Sequence, residues 1–245
     1  HYGVVGRGPM MGPLLTDLSG YITKKDKGFI ILKKDHPLIK RKSYTFDQAR
    51  RINRSACEQC RMCTDLCPRY LLGHNMQPHK MMRVLSYAPD DIQAQLPASL
   101  CCQCNLCEYF SCPANLHPRL TNAIFKQNMA EAKVRYQPTE TEFHVRDARK
   151  YRLVPSKRLV ARLGLREFDQ PAPWTEETIT PAEVHIATSQ HVGAPAVPVV
   201  STGDRVTAGQ LIGKVPDGAL GAPIHASVSG TVSACGNDFI VIRMG

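Results

Sequence analysis

The sequence predicts an α+β multidomain chain, and three observations predict it. Cysteines crowd into a helix-patterned segment, 44–135. A Val-, Gly-, Thr- and Ala-rich segment, 179–245, carries turn signals every several residues and reads as all-β. A short apolar run, Gly28-Phe29-Ile30-Ile31-Leu32, stands between a glycine-rich opening and a basic stretch. The 245 residues suffice for one to three domains. No run approaches the ~18 consecutive apolar residues of a membrane span, and no signal peptide is visible. The chain opens on His1 rather than Met, so it reads as a fragment or a processed product.

Residues 1–43 read as the end of an α/β region and a linker rather than a whole domain. Gly3-Val-Val-Gly6-Arg-Gly8 spells G-x-x-G-x-G, which departs from the dinucleotide fingerprint and is followed by no helix pattern; it reads as a glycine-rich loop. Within 44–135, residues 78–88 look helical, with Met81, Met82 and Leu85 on one side as core packing. Leu116, Leu120, Ala123 and Ile124 share a face of a second helix whose first turn takes Pro118, where the missing N–H costs nothing. Residues 136–178 are polar and end Pro-rich, predicting a linker with one short helix near Ser156–Leu165.

The cysteines carry the chemistry. Nine of the ten fall between Cys57 and Cys112, at short spacings. Disulfide frameworks spread their cysteines to staple distant loops, whereas metal sites cluster them. The first motif is Cys57-x2-Cys60-x2-Cys63-x3-Cys67-Pro68, and the second is Cys101-x2-Cys104-x2-Cys107-x4-Cys112-Pro113. A cubane presents four irons, each needing one outside thiolate, and two-residue gaps let one loop supply three of them. The fourth comes from elsewhere: in two-cluster ferredoxins the Cys before Pro ligates the other cluster. By that rule Cys57, Cys60, Cys63 and Cys112 hold one [4Fe–4S] cluster, and Cys101, Cys104, Cys107 and Cys67 hold the second. Zinc is the competitor. It commonly takes two Cys pairs and leaves the two Cys-Pro residues unexplained.

The long helical gap between Cys67 and Cys101 resembles the α-helical ferredoxin domain of fumarate reductase and related subunits. The second motif has one residue more than usual before its last cysteine, within Glu108-Tyr-Phe-Ser111, which predicts a local bulge. Cys102 reads as a spare, because using it would leave one residue before Cys104, too short a wrap. Cys235 reads as a small buried hydrophobe. His74 and His79 lie near the motifs, either at the surface or placed to tune a cluster through hydrogen bonds to sulfur. No Ser/His/Asp or Cys/His catalytic set stands out, so no catalytic residue is assigned.

The formal charge is +10, and two oxidised clusters with their thiolates would lower it by about four. A basic balance suits acidic partners, nucleic acid or an anionic surface. Equally, it describes an ordinary solvated surface, since the charge is scattered, with its densest runs at Lys24–Lys27 and Lys33–Lys42. No nucleic-acid recognition module is present.

In the C-terminal segment, Val200-Ser-Thr-Gly203-Asp204-Arg-Val206-Thr-Ala-Gly209-Gln210-Leu-Ile-Gly213 and Ala222-Pro-Ile-His225-Ala-Ser-Val-Ser-Gly230-Thr-Val232 form two β-arches with Gly at the turns. They resemble the barrel-sandwich hybrid of biotinyl and lipoyl domains. The tip, His225-Ala-Ser-Val-Ser229, lacks the Lys that those carriers modify, which favours a docking or structural role.

The succession of Gly8-Pro9-Met10-Met11-Gly12, Ile22-Thr-Lys-Lys, Gly28–Leu32 and the twin cubane motifs resembles the C subunit of the Rnf electron-transport complex. That subunit carries its barrel-sandwich before its flavin domain. Here the module follows the cysteine domain, and no long Ala/Lys-rich tail is present. This order resembles the cobalamin reductases of propanediol-utilisation bacterial microcompartments. The resemblance implies an upstream domain binding FMN and NADH, with residues 1–43 the end of its β-grasp region. It further implies electron flow through the two clusters to cobalamin, a corrinoid adenosyltransferase and microcompartment shell or enzymes as partners, and a place in the bacterial cytoplasm inside a microcompartment. The alternative is an Rnf-type membrane-associated ferredoxin:NAD electron-transport component.

Overall fold

In the computed structural model, which describes residues 1–138, 142–177 and 179–245, strand β1 (Tyr2–Gly6) pairs antiparallel with β2 (Leu14–Leu15) and with β3 (Phe29–Lys33). Gly3 and Gly6 therefore lie in a strand, not in the glycine-rich loop expected from the sequence. The reason is packing: a Cβ on Gly3 would come within 2.8 Å of the Ile39 side chain, so the bare backbone lets helix α1 (Pro37–Lys42) lie against the sheet. Val5, Leu32, Leu38, Ile39, Tyr109 and Leu163 form the shared core, with Leu159 and Leu165 packed against it.

Helix α2 (Phe46–Ala56) starts with a reciprocal capping box between Thr45 and Gln48 and ends at Cys57. Short helices α3 (Met62–Asp65) and α4 (Pro68–Leu71) follow, then α5 (Pro78–Tyr87) and α6 (Ile92–Gln95). Met81, Met82 and Leu85 are all buried on α5, as its periodicity predicts. A 3₁₀ turn, Leu96–Leu100, leads to Cys101. The extra residue of the second motif is absorbed by a π-helical turn, Leu106–Ser111. A wider i→i+5 turn holds one more residue than an α-turn, and the Ser111 hydroxyl closes it by donating to the Leu106 carbonyl at 2.9 Å.

Helix α7 (Pro118–Glu131) buries Pro118, Thr121, Asn122, Phe125 and Met129. Leu120, Ala123 and Ile124 are only half-buried, and Leu116 precedes the helix. The buried face is thus turned away from the apolar stripe expected there, because Thr121 is drawn inward by hydrogen bonding to Asn53 of α2. Helix α8 (Ser156–Arg162) matches the short helix expected in 136–178. That segment is not wholly a linker, however, since Leu159, Leu163 and Leu165 complete the N-terminal core. Residues 1–16 and 28–171 make one compact unit; 17–27 and 172–245 make the other.

In the second unit, β4 (Glu183–Ala187), β5 (Val197–Pro198), β6 (Arg205–Val206), β7 (Leu211–Lys214), β8 (Ile224–His225), β9 (Gly230–Cys235) and β10 (Phe239–Arg243) pair antiparallel throughout. They form a four-stranded sheet, β4-β10-β9-β6, and a three-stranded sheet, β5-β7-β8. Ile186, Val206, Ile212, Ile224, Val232, Ile240 and Ile242, drawn from both sheets, fill one core. Gly203 (φ 97°) and Gly209 (φ 86°) turn the chain on either side of β6, in a conformation that other residues adopt only at a cost. The tip around Ala226 is tied to the neighbouring turn, its N–H donating to Gln210 O and its carbonyl accepting from Gly209 N, each at 2.8 Å.

Among the described residues, no helix is long and apolar enough to cross a membrane.

Candidate metal centre

Both cysteine triplets are wound by the same local device. Gln59 and Arg61 have φ of 56° and 55°, and Gln103 and Asn105 have φ of 59° and 65°. In each triplet these are the second and fourth residues after the first cysteine. Non-glycine residues seldom adopt positive φ, and the repeated pair curls each loop inward around its thiols. The first residue of each pair also touches sulfur. Gln59 Nε2 donates to Cys57 Sγ at 3.3 Å, and the Gln103 backbone N–H donates to Cys101 Sγ at 3.4 Å. Sequence reading missed these glutamines. The signal was present in the matching Gln-Cys pairs, Gln59-Cys60 and Gln103-Cys104.

Cys57 caps α2 and Cys63 rides on α3. Cys112 follows the π-turn. With Cys60, these three thiols line one small cavity of about 40 Å³, which His79, Met82 and Leu116 also line. Cys112 is thus brought to the first triplet rather than kept with its own. It is anchored there by the Leu116 N–H, which donates to Cys112 Sγ at 3.3 Å. Cys67, just before Pro68, goes the other way. It packs in one apolar cluster with Cys101, and its thiol acts electrostatically on Cys104 and Cys107. The eight cysteines singled out from the sequence therefore fall into two groups of four, each with three members from one motif and one from the other.

Burial sets the state of these thiols. Desolvation, with smaller contributions from neighbouring thiols, pushes Cys63 up to about 12. Desolvation likewise pushes Cys67 up to about 11 and Cys104 up to about 12; Cys107 is raised well above the ordinary thiol range. Four thiolates side by side in an apolar pocket repel each other, so a cationic centre has to replace their protons. An all-sulfur donor set suits zinc or iron–sulfur. Among the described residues, no group of three or more His, Cys, Asp or Glu is drawn together tightly enough to hold a single ion.

The remaining expected residues have definite places. Cys102 is half-buried and acts electrostatically on the Cys104 thiol. His79 is not a free surface residue: its Nδ1 lies 2.7 Å from Thr64 Oγ1, beside Cys63, and its pKa is lowered by burial and by Arg61, Lys80 and Arg83. His74 instead packs against Phe143, with ring centroids 4.4 Å apart. Cys235 is a half-buried thiol donating to Val200 O at 3.2 Å, not a wholly apolar core residue. Behind the first cavity, buried Asn53 donates to His117 O (3.0 Å) and Thr121 Oγ1 (2.9 Å) and accepts from His117 N (2.9 Å). Buried Glu108 accepts from Leu120 N at 3.2 Å and faces His117 Nδ1 at 3.1 Å.

Fold and site together define the class: a helical cysteine domain of the two-motif iron–sulfur type, followed in the chain by a β-sandwich module. Residues 56–117 match the 4Fe-4S dicluster domain family, and residues 172–242 match the RnfC barrel sandwich hybrid domain family. Among curated proteins, the chain is 42% identical over 99% of its length to cobalamin reductase PduS of Salmonella typhimurium strain LT2, covering 54% of that protein. It is 39% identical, with the same coverage of both chains, to cobalamin reductase PduS of Citrobacter freundii. A shorter stretch, 22% of this chain and 12% of the relative, is 50% identical to the C subunit of the Na(+)-translocating ferredoxin:NAD(+) oxidoreductase complex of Acetobacterium woodii. The chain thus spans about half the length of the cobalamin reductases it matches.

Proposed function

We propose that this chain is the iron–sulfur electron-transfer portion of an NADH-dependent, FMN-containing cobalamin reductase. The observation that carries the reading is the similarity to cobalamin reductase along 99% of the chain. The crossed grouping of thiols supports it. Cys57, Cys60, Cys63 and Cys112 hold one [4Fe–4S] cluster, and Cys67, Cys101, Cys104 and Cys107 hold the other. Bound clusters supply one-electron steps. The chain's own part is to seat them side by side, to shield Cys63, Cys67, Cys107 and Cys112 from water, and to set potentials through sulfur hydrogen bonds from Gln59, Gln103 and Leu116.

FMN and NADH belong to an upstream domain, whose end residues 1–43 would supply although their strands share a core with Tyr109 and Leu163, and cob(III)alamin or cob(II)alamin is the electron acceptor. The reduced corrinoid passes to an adenosyltransferase for recycling of coenzyme B12 in propanediol degradation. The setting is the bacterial cytoplasm, inside a microcompartment whose shell or enzymes are the neighbours. Residues 179–245, without an attachment lysine, act as a docking or structural module. A second reading is favoured by the RnfC domain match and the Acetobacterium relative: an Rnf-type component passing electrons between ferredoxin and NAD.

Anaerobic reconstitution tests the proposal. About eight iron and eight sulfide per chain, with reoxidation of the dithionite-reduced protein by cob(III)alamin, are expected. Two clusters that cob(III)alamin does not reoxidise would favour the Rnf-type reading, and zinc in place of iron would defeat both. Cys67→Ala should damage the cluster held by the second triplet, and Cys112→Ala the one held by the first. EPR showing each variant losing the cluster of its own motif would sink the crossed assignment.

A further inference from the structure

Asn122 is a buried polar residue on α7. It is fully buried, and among the described residues neither its Nδ2 nor its Oδ1 has a hydrogen-bond partner. Such a group costs about 1–3 kcal/mol and calls for an explanation, a bound group being one. Its place on the helix says where to look. At about 100° per residue, Arg119, Lys126, Asn122, Met129 and Phe125 follow one another around roughly a third of the helix circumference, with Asn122 at the centre. Both flanks of this arc face the second set of thiols. Arg119 and Lys126 act electrostatically on the Cys101 thiol, and Lys126 Nζ donates to Cys101 O at 2.6 Å. Phe125 and Met129 pack in the cluster that contains Cys67, with Cys101 against it. Thr121, about 100° round the helix, faces the first set instead, through Asn53 and Met82.

We propose that the Asn122 carboxamide donates a hydrogen bond to a sulfur of the cluster held by Cys67, Cys101, Cys104 and Cys107, and so raises that cluster's reduction potential above what the thiolates alone would set. The inference rests on the two-cluster reading above. Donors to cluster sulfur stabilise the more negative, reduced state. Asn122 is thus a positioning and tuning residue, and it makes the two clusters inequivalent: the first set has Gln59 and Leu116 as donors, while the second has Gln103 and a side chain delivered from α7.

The test is an EPR-monitored redox titration of the reconstituted chain and its Asn122→Leu variant, which removes the donor at similar volume. The ratio of reduced to oxidised second cluster at fixed potential should fall about tenfold, equivalent to 59 mV for one electron, with the first cluster unmoved. Asn122→Ser, which keeps a donor, should recover part of the shift. If Asn122→Leu does not fold, pulsed EPR of the wild-type chain labelled with ¹⁵N-asparagine decides. A ¹⁵N coupling to the second cluster that is present in the wild type and lost in Asn122→Ser supports the proposal; couplings identical in the two, which Asn105 beside Cys104 also supplies, overturn it. Two intact clusters with no shift, or equal shifts in both, would overturn the inference alone; failure to form iron–sulfur clusters at all would defeat the reading beneath it.

Discussion

Replacing Asn53 by Ala separates α2 from the loop that carries Cys112, and the structure sets the size of the effect. Asn53 is 1% exposed and joins α2 to His117 and Thr121 through three hydrogen bonds. The partners do not lose equally. The Thr121 hydroxyl keeps its donation to His117 O at 3.2 Å, so that carbonyl stays satisfied. The His117 N–H, which donates to Asn53 Oδ1, loses that acceptor and is left buried, at a cost of about 1–3 kcal/mol. Lost packing around the truncated side chain adds about 1–2 kcal/mol. The sum, about 2–5 kcal/mol, corresponds to roughly 30- to 4,000-fold faster opening at about 1.4 kcal/mol per decade. Hydrogen exchange by mass spectrometry on peptides spanning 113–121 measures this locally, which suits a chain of two units better than one global melt. A change of less than about twofold would refute the view that Asn53 holds this loop in place.

Two further predictions concern stability. Ile240→Ala, at a fully buried position in the second unit's core, should cost about 2–5 kcal/mol and lower the unfolding transition of that unit; iron content should be unchanged, since the thiols lie in the other unit. Lys42 is held at about 8, below its ordinary 10.5, by burial and by Arg119. Between those two values the unfolded chain binds the proton that the folded chain has released, so stability should rise with pH across that window. The Lys42→Met variant of the cluster-loaded protein should show a flatter denaturant-midpoint profile from pH 8 to 10; an unchanged slope would contradict the burial account.

Much of the site was legible because ligand chemistry is local. Two-residue cysteine gaps force tight loops, and the tight loops appear with their paired positive φ at Gln59, Arg61, Gln103 and Asn105. The extra residue before Cys112 was readable as a local irregularity; its form as a π-turn depended on the Ser111 hydroxyl reaching back to Leu106. The face of α7 was misjudged from apolar spacing. Its first buried turn is polar: Thr121 takes its value from Asn53, distant in sequence, and Asn122 is buried with no hydrogen-bond partner among the described residues. His79 was likewise ambiguous, because its partner Thr64 lies fifteen residues away on another helix.

By itself the sequence determined the number and spacing of sulfur donors, the β-rich nature of the C-terminal segment and the helix around Met81, Met82 and Leu85. Each of these depends on residues within a few positions of one another. The tertiary structure alone decided that Leu159 and Leu163 would complete the core begun by Val5 and Leu32. It also decided that Asn53 would brace Cys112's loop and that Asn122 would be buried with no hydrogen-bond partner among the described residues. Burial and hydrogen-bond satisfaction belong to pairs of segments brought together in space, and a residue's type does not reveal which segment it will meet.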